Sequence, residues 1–295
     1  MMYLGWVKDR FDDRDYLHRV GVAVISKSVI LTEFLPEVRN QGSNNACVGF
    51  GIGANLCSVA KKMGIFSEWY SPLWIWAGAR YIEGTLSQNV GVSPKDALDW
   101  LVKSGCLLEH YWPYDQDIFD MSAPSSERMA LASVYDDFSY FRVTGGVTGI
   151  CSALAEKHLV SLGAPWFNKW FTAPAGVLAI PSKDDFSGGG HETCLYGYDQ
   201  DKAVFYGINS YGKDWGDLGL FTMPFESLDV FKALGGYDAQ YITFNPPVSG
   251  PSPQPAPAPS SCKWGTGLAS ALNVIQEVRG RRGRFYYQNP TVKDN

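Results

Sequence analysis

Apolar positions follow two different rhythms along the chain. Over residues 46–62 (ACVGFGIGANLCSVAKK), Phe50, Ala54, Leu56 and Cys57 recur at helical spacing, which predicts a buried helix. Gly49, Gly51 and Gly53 lower its intrinsic propensity and imply close packing against another element. A second helix is predicted over 71–83, with Pro72 in the first turn, where a missing N–H costs little. A third is predicted over 93–104, opened by Ser93 and Pro94 and closed by Gly105. The second half changes character. Residues 176–181, 192–198, 203–209 and 218–223 are short β-branched or aromatic runs divided by Gly or Asp turns, and they predict strands. Helices first and strands later is the order of an α+β protein with two lobes. A cleft between lobes is where ligands usually bind.

The clearest boundary is the proline-rich stretch 246–261, an extended spacer that cannot form a core. It separates a body from a tail, 262–295. In the tail, Leu268, Ala271, Leu272 and Ile275 share one face of a short predicted helix over 267–278. Arg279, Arg281, Arg282 and Arg284 then form a basic cluster. Two readings stand side by side: a solvated end, or a tether that docks on a protein partner or larger assembly such as a virus particle.

Composition narrows the function classes. With 45% hydrophobic and 19% charged residues the chain is globular. Its net charge of −5 argues against a nucleic-acid binder, because phosphate affinity needs a basic surface. Asp9, Asp12, Asp13 and Asp15 break any apolar core of a secretory signal, and no apolar run is long enough for a membrane span. A cytoplasmic or virion-associated location is therefore expected. The six cysteines lie far apart without a CxxC pair, so neither a metal site nor a cofactor is expected, and free thiols are the default.

One cysteine differs from the rest. Cys47 opens the first predicted helix after the loop formers Gly42, Ser43, Asn44 and Asn45. A thiol at a helix start feels the macrodipole and unpaired N–H groups, which favour the reactive thiolate. Gln41 lies six residues earlier, where its amide can join the Cys47 N–H in an oxyanion hole. The bland alternative, a small buried hydrophobe, is preferred for Cys57, Cys106, Cys151 and Cys194. His191 follows three glycines whose bare backbone lets another group approach the imidazole. Asn209 ends a predicted strand in a glycine-punctuated turn that carries Tyr211 and Trp215. An amide oxygen there can accept from one imidazole nitrogen and leave the other facing a thiol.

The order Gln41, Cys47, His191, Asn209 resembles the papain-like (C1) cysteine peptidases. QGSNNAC is similar to the family's QGSCGSCW, and GINSYGKDWGDLGLFTMP to its NSWGxxWGxxGY run. His191 follows Cys47 by 144 residues, within the range of about 130–150 such enzymes show, whereas the 162 residues to Asn209 slightly exceed it. GWVKDRFDDRDYL is similar to the short N-terminal extension of bacterial and viral members, the xylellain-like branch. The resemblance implies a helical lobe, an antiparallel β-barrel-like lobe, and an active site in the cleft between them. It implies an extension over 1–36 and a peptidase domain over 37–245. It also assigns Gly91 to backbone pairing with substrate, beside Tyr211 and Trp215. The departures are Asn44 for a disulfide cysteine, Asn45 for a glycine, on the ground that Asn tolerates positive φ, Val48 and Tyr211 for tryptophans, and Glu192 for a small residue.

The expected chemistry is peptide-bond hydrolysis through a thiolate–imidazolium pair and a thioester, with protein or peptide as substrate. Transfer of the acyl group to an amine, or isopeptide cleavage, uses the same groups. A weak or inactive scaffold serving a larger assembly is the rival from another class. For the N-terminal segment two placements are open: over the cleft, or over a lobe surface.

Overall fold

The computed structural model describes residues 4–21, 26–66 and 68–244. The predicted linker 246–261 and tail 262–295, with its helix over 267–278 and its basic cluster, lie outside them.

The three predicted helices form α1 (Cys47–Lys62), α2 (Pro72–Glu83) and α3 (Pro94–Ser104). Helix α1 is buried from Cys47 through Ala60, so it is a central element and not a surface helix. A side chain on Gly51 would collide with Glu192 on the neighbouring sheet, which is why the propensity cost of glycine, about 1 kcal/mol, is tolerated there. Asn55 fixes the helix to that sheet through bonds to the Leu159 carbonyl and the Ser161 hydroxyl, both 3.1 Å. The Ser71 and Ser93 side chains cap α2 and α3 by accepting from the Trp74 and Asp96 N–H groups. Between the two helices Trp74 and Trp100 pack with ring centroids 5.0 Å apart, and both are buried.

Among the described residues seven strands make one antiparallel sheet: β1 (Ser28–Ile30), β2 (Phe138–Arg142), β3 (Val160–Phe167), β4 (Phe186–Asp199), β5 (Val204–Ile208), β6 (Leu220–Pro224) and β7 (Asp238–Phe244). Their order is β2-β7-β3-β4-β5-β6, with β1 also paired to β4. Three more helices, α4 (Ser126–Ala132), α5 (Gly146–Ala155) and α6 (Ser227–Ala233), connect the strands. This is the two-lobe α+β arrangement, with α1 packed against β4 and β3.

Three of the four predicted strands overlap β4, β5 and β6. Residues 176–181 do not form one: Pro174–Gly176 is a 3-10 turn and Val177 makes a single bridge to Thr222. The four strands the sequence did not predict include β3 and β7. All eight residues of β3 are buried, so it has no alternating pattern to read.

Candidate active site

Sheet register sets the site. Cys194 of β4 pairs with Ile208 of β5, so the residues just before Cys194 lie beside those just after Ile208. His191 and Asn209 meet there: Nε2 of His191 is 2.7 Å from Oδ1 of Asn209. The Asn209 oxygen also accepts from the Ser210 N–H at 2.7 Å, which holds the amide in that orientation. Tyr211 stacks on the imidazole with centroids 4.5 Å apart and sets its hydroxyl 3.3 Å from Nδ1. Trp166 covers another side at 4.6 Å, and only 1% of His191 is exposed.

Residues 39–41 run against the turn that follows β5. Gln41 N–H donates to the Ser210 carbonyl at 2.8 Å, and Gly212 N–H donates to the Arg39 carbonyl at 3.1 Å. The Gln41 amide is oriented at both ends, since Oε1 accepts from the Ser210 hydroxyl at 2.7 Å and Nε2 donates to the Asn44 carbonyl at 2.8 Å. Gln41 is thereby tied both to the loop before Cys47 and to the turn after Asn209. Asn44 bonds the Ile118 carbonyl at 3.0 Å, anchoring its loop where a disulfide was absent from the sequence pattern. Asn45 does not use the positive φ expected of it; it is held instead by Asn89, which accepts from its N–H at 2.9 Å.

Cys47 is the first residue of α1 and is fully buried. The N–H groups of Glu192, Gly5 and Val48 act on its sulfur, but burial dominates and pushes the thiol up to about 12. Burial likewise lowers His191 to about 4, against the opposing effect of the Asn209 bond. Burial thus works against charge on both groups while the site is covered.

The burial has a specific source. Residues 5–7 run between the two walls: Trp6 N–H donates to the Gly190 carbonyl at 3.1 Å, Val92 N–H to Gly5 at 2.9 Å, and Val7 N–H to Val92 at 3.0 Å. The backbone that pairs is that of Val92. Gly91 lies directly under Gly5, where any side chain would collide. Tyr211 is 7% exposed and Trp215 3%, with the Trp215 indole donating to the Trp170 carbonyl at 3.1 Å. Both lie around and behind the histidine and not on an open wall. Among the described residues the five cysteines are free, and no group of His, Cys, Asp or Glu is arranged to hold a metal. No helix among them is long and apolar enough to cross a membrane.

Two residues that sequence reasoning did not single out complete the region. The Trp6 indole donates to Oδ2 of Asp238 at 3.1 Å, and Asp9 N–H donates to the same oxygen at 2.8 Å. Neither Trp6 nor Asp238 carried a local signal; their roles follow from strand register and a contact across more than 200 residues.

No family model matches the chain. An uncharacterized peptidase C1-like protein of Acanthamoeba polyphaga mimivirus is 25% identical over 218 residues, 70% of each chain. Xylellain, a cysteine protease from Xylella fastidiosa, superposes with a TM-score of 0.75 at 25% identity, over 82% of this chain and 96% of that one. The bromelain protease of Ananas comosus, in complex with the E64 inhibitor, gives a TM-score of 0.57 at 18% identity over 75% of this chain and all (100%) of its own, a likeness of fold alone. On fold and relatives together, the chain is similar to the papain-like (C1) cysteine peptidases.

Proposed function

We propose that the chain hydrolyses peptide bonds with Cys47 as nucleophile, His191 as its base and Asn209 as the group that orients the histidine. Residues 1–36 would hold the 37–245 body latent. The observation that carries this reading is the buried 2.7 Å contact between His191 Nε2 and Asn209 Oδ1. It leaves Nδ1 turned to the Tyr211 hydroxyl, which itself lies within electrostatic reach of Cys47.

Withdrawal of residues 5–7 admits water, so the burial that raises the thiol and lowers the imidazole is relieved on both groups at once. The thiol proton then passes to Nδ1 of His191 and the sulfur attacks a substrate carbonyl carbon. The Gln41 Nε2 and Cys47 N–H donors face the resulting oxyanion. Nδ1–H protonates the leaving amine as the C–N bond breaks, giving a thioester. Water attacks it with His191 as base, the C–S bond breaks, and acid and thiol are released. The Asn209 acceptor keeps a proton on Nε2 throughout, so Nδ1 is the nitrogen that exchanges one.

Mass spectrometry after treatment with an epoxide inhibitor tests the reading. A single adduct at Cys47 is expected, absent from Cys47→Ala and formed faster in Trp6→Ala. If Cys47 labels no faster than Cys57 or Cys106 in either chain, the inactive scaffold is the better reading, an outcome the full burial of Cys47 makes worth testing. The proline-rich linker and basic tail are proposed as a tether to a protein partner or assembly; a chain ending at residue 245 should then lose that association.

A further inference from the structure

We propose that the pocket now filled by Trp6 is a specificity pocket of this site, and that it takes a basic side chain, arginine or lysine, of a peptide substrate through Asp238 and Glu192. The inference rests on the peptidase reading above and names its substrate class.

Register builds the pocket. Gly163 of β3 pairs with Glu192 of β4 on one side and with Asp238 of β7 on the other. Directly opposed residues of neighbouring strands project to the same face. Two carboxylates therefore flank a glycine across three strands, and the missing side chain leaves a hollow between them. Gly190 lies two residues before Glu192, so it belongs to the same face. Side chains on Gly163 or Gly190 would collide with the Trp6 indole, so these two bare positions make the room it occupies.

The charges in the hollow are poorly matched within the body. Asp238 accepts from the Trp6 indole, the Lys8 ammonium and the Asp9 N–H, all supplied by the N-terminal segment. Its partner in the body is Arg142, whose Nη1 stands 3.4 Å away. Glu192 is 1% exposed, and neither of its carboxyl oxygens has a hydrogen-bond partner. A buried carboxyl left unsatisfied beside a second acid is costly unless something else uses it. Withdrawing residues 4–9 removes three donors from Asp238 and leaves it Arg142 as its partner in the body, with Glu192 still unsatisfied. A guanidinium or ammonium restores the balance, and Lys8 already places a cation on Asp238 from the segment that fills the groove. The flat indole gives the hollow a shape that a planar guanidinium can enter edge-on.

The test is cleavage profiling of a peptide library with the full chain and with Trp6→Ala, each also carrying Glu192→Gln or Asp238→Asn. At one position near the cleaved bond, Arg and Lys should exceed Leu and Phe by tenfold or more. Glu192→Gln is close in shape and loses no hydrogen bond, so it should fold, and it should cut the basic-to-apolar ratio at least fivefold. Asp238→Asn should cut it further if it folds. Cleavage with no basic preference overturns the inference and leaves the peptidase reading intact. So does a basic preference that Glu192→Gln leaves unchanged, whereas an epoxide adduct on Cys47 without cleavage of any peptide overturns hydrolysis and the inference with it. Neither adduct nor cleavage overturns both.

Discussion

His191 and Glu192 are adjacent on β4 and therefore face opposite sides of the sheet. On one face the imidazole is enclosed by Trp166 and Tyr211 and bonded to Asn209, so its orientation is fully determined. On the other face a carboxyl of equal burial has no partner at all and shares its surroundings with Asp9 and Asp238. The first face is complete without any other segment, whereas the second waits on what the N-terminal residues supply. The contrast separates chemistry from control. On the proposed reading the body preorganises the reacting groups, while the groups that would select what enters are left unbalanced.

The largest effect should come from breaking the first face. Cys47→Ala and His191→Ala should each lower kcat/KM for any peptide by roughly 10⁴-fold, as loss of a nucleophile or its base does in triad enzymes. Circular dichroism should stay unchanged for Cys47→Ala, because a small buried side chain is replaced by a slightly smaller one. A loss below about tenfold in either variant would separate this site from triad chemistry.

Opening the second face comes next. Trp6→Ala removes an indole that is half-buried against Gly163 and Gly190, together with its bond to Asp238. An aromatic anchor of this kind is worth on the order of 2 kcal/mol, so Cys47 labelling should accelerate roughly thirtyfold. Equal labelling rates in the two chains would mean that residues 4–9 leave the groove without being released by this contact.

These two faces were unequally legible in the sequence. Cys47, Gln41, His191 and Asn209 stand in or beside short glycine- and asparagine-marked stretches whose local chemistry is unusual, so they could be singled out before any fold was known. Helices α2 and α3 were readable to within a residue because Ser-Pro starts and glycine ends punctuate them. Strand β7 carried no such marks, and Asp238 at its start meets Gly163 through a register no local pattern encodes. Glu192 was visible as an oddity beside the histidine, but its role depends on a glycine 29 positions away. What the sequence left open about the N-terminal segment was its path, since a tryptophan after a glycine says nothing about which pocket will receive it.

Acidity should sharpen the comparison in a definite direction. Burial, and then the charge of Asp238, raise Asp9 from its ordinary 3.8 to about 6 while residues 4–9 are seated. The seated form therefore binds a proton more tightly than the released form. Seating is favoured at low pH and weakens as pH rises from about 4 through about 6, with no further change from this group above that. Glu192 acts with the same sign, raised by burial and by Asp9 and Asp238. Asp15 opposes it elsewhere: burial works against ionisation, but bonds from Arg142, Lys95 and Tyr140 hold it below its ordinary value. Its contribution is lost as pH falls below about 4, outside the first window. Epoxide labelling of Cys47 should thus speed up several-fold between pH 4 and 6.5, beyond the change seen in Asp9→Asn. A rate falling over that interval would place the controlling group elsewhere.

The smallest expected effect belongs to Tyr211, and it probes whether the first face is as self-sufficient as its packing implies. Its ring lies 4.5 Å from the imidazole at an interplanar angle of 30°, so most of its contact is stacking, which Tyr211→Phe preserves. The hydroxyl stands 3.3 Å from Nδ1, the nitrogen that must exchange a proton with the thiol. A bond of that length between neutral groups contributes about 0.5–1.5 kcal/mol. If the hydroxyl merely fills space, Tyr211→Phe should change kcat/KM by less than about twofold. If it holds Nδ1 away from Cys47 while the groove is filled, labelling should rise by about three- to tenfold in the full chain and hardly at all in Trp6→Ala. A loss of rate in both backgrounds would instead make the hydroxyl part of the proton path. The histidine face would then depend on a donor that tryptophan, the residue usual at this position in the resembling motif, cannot supply in the same form.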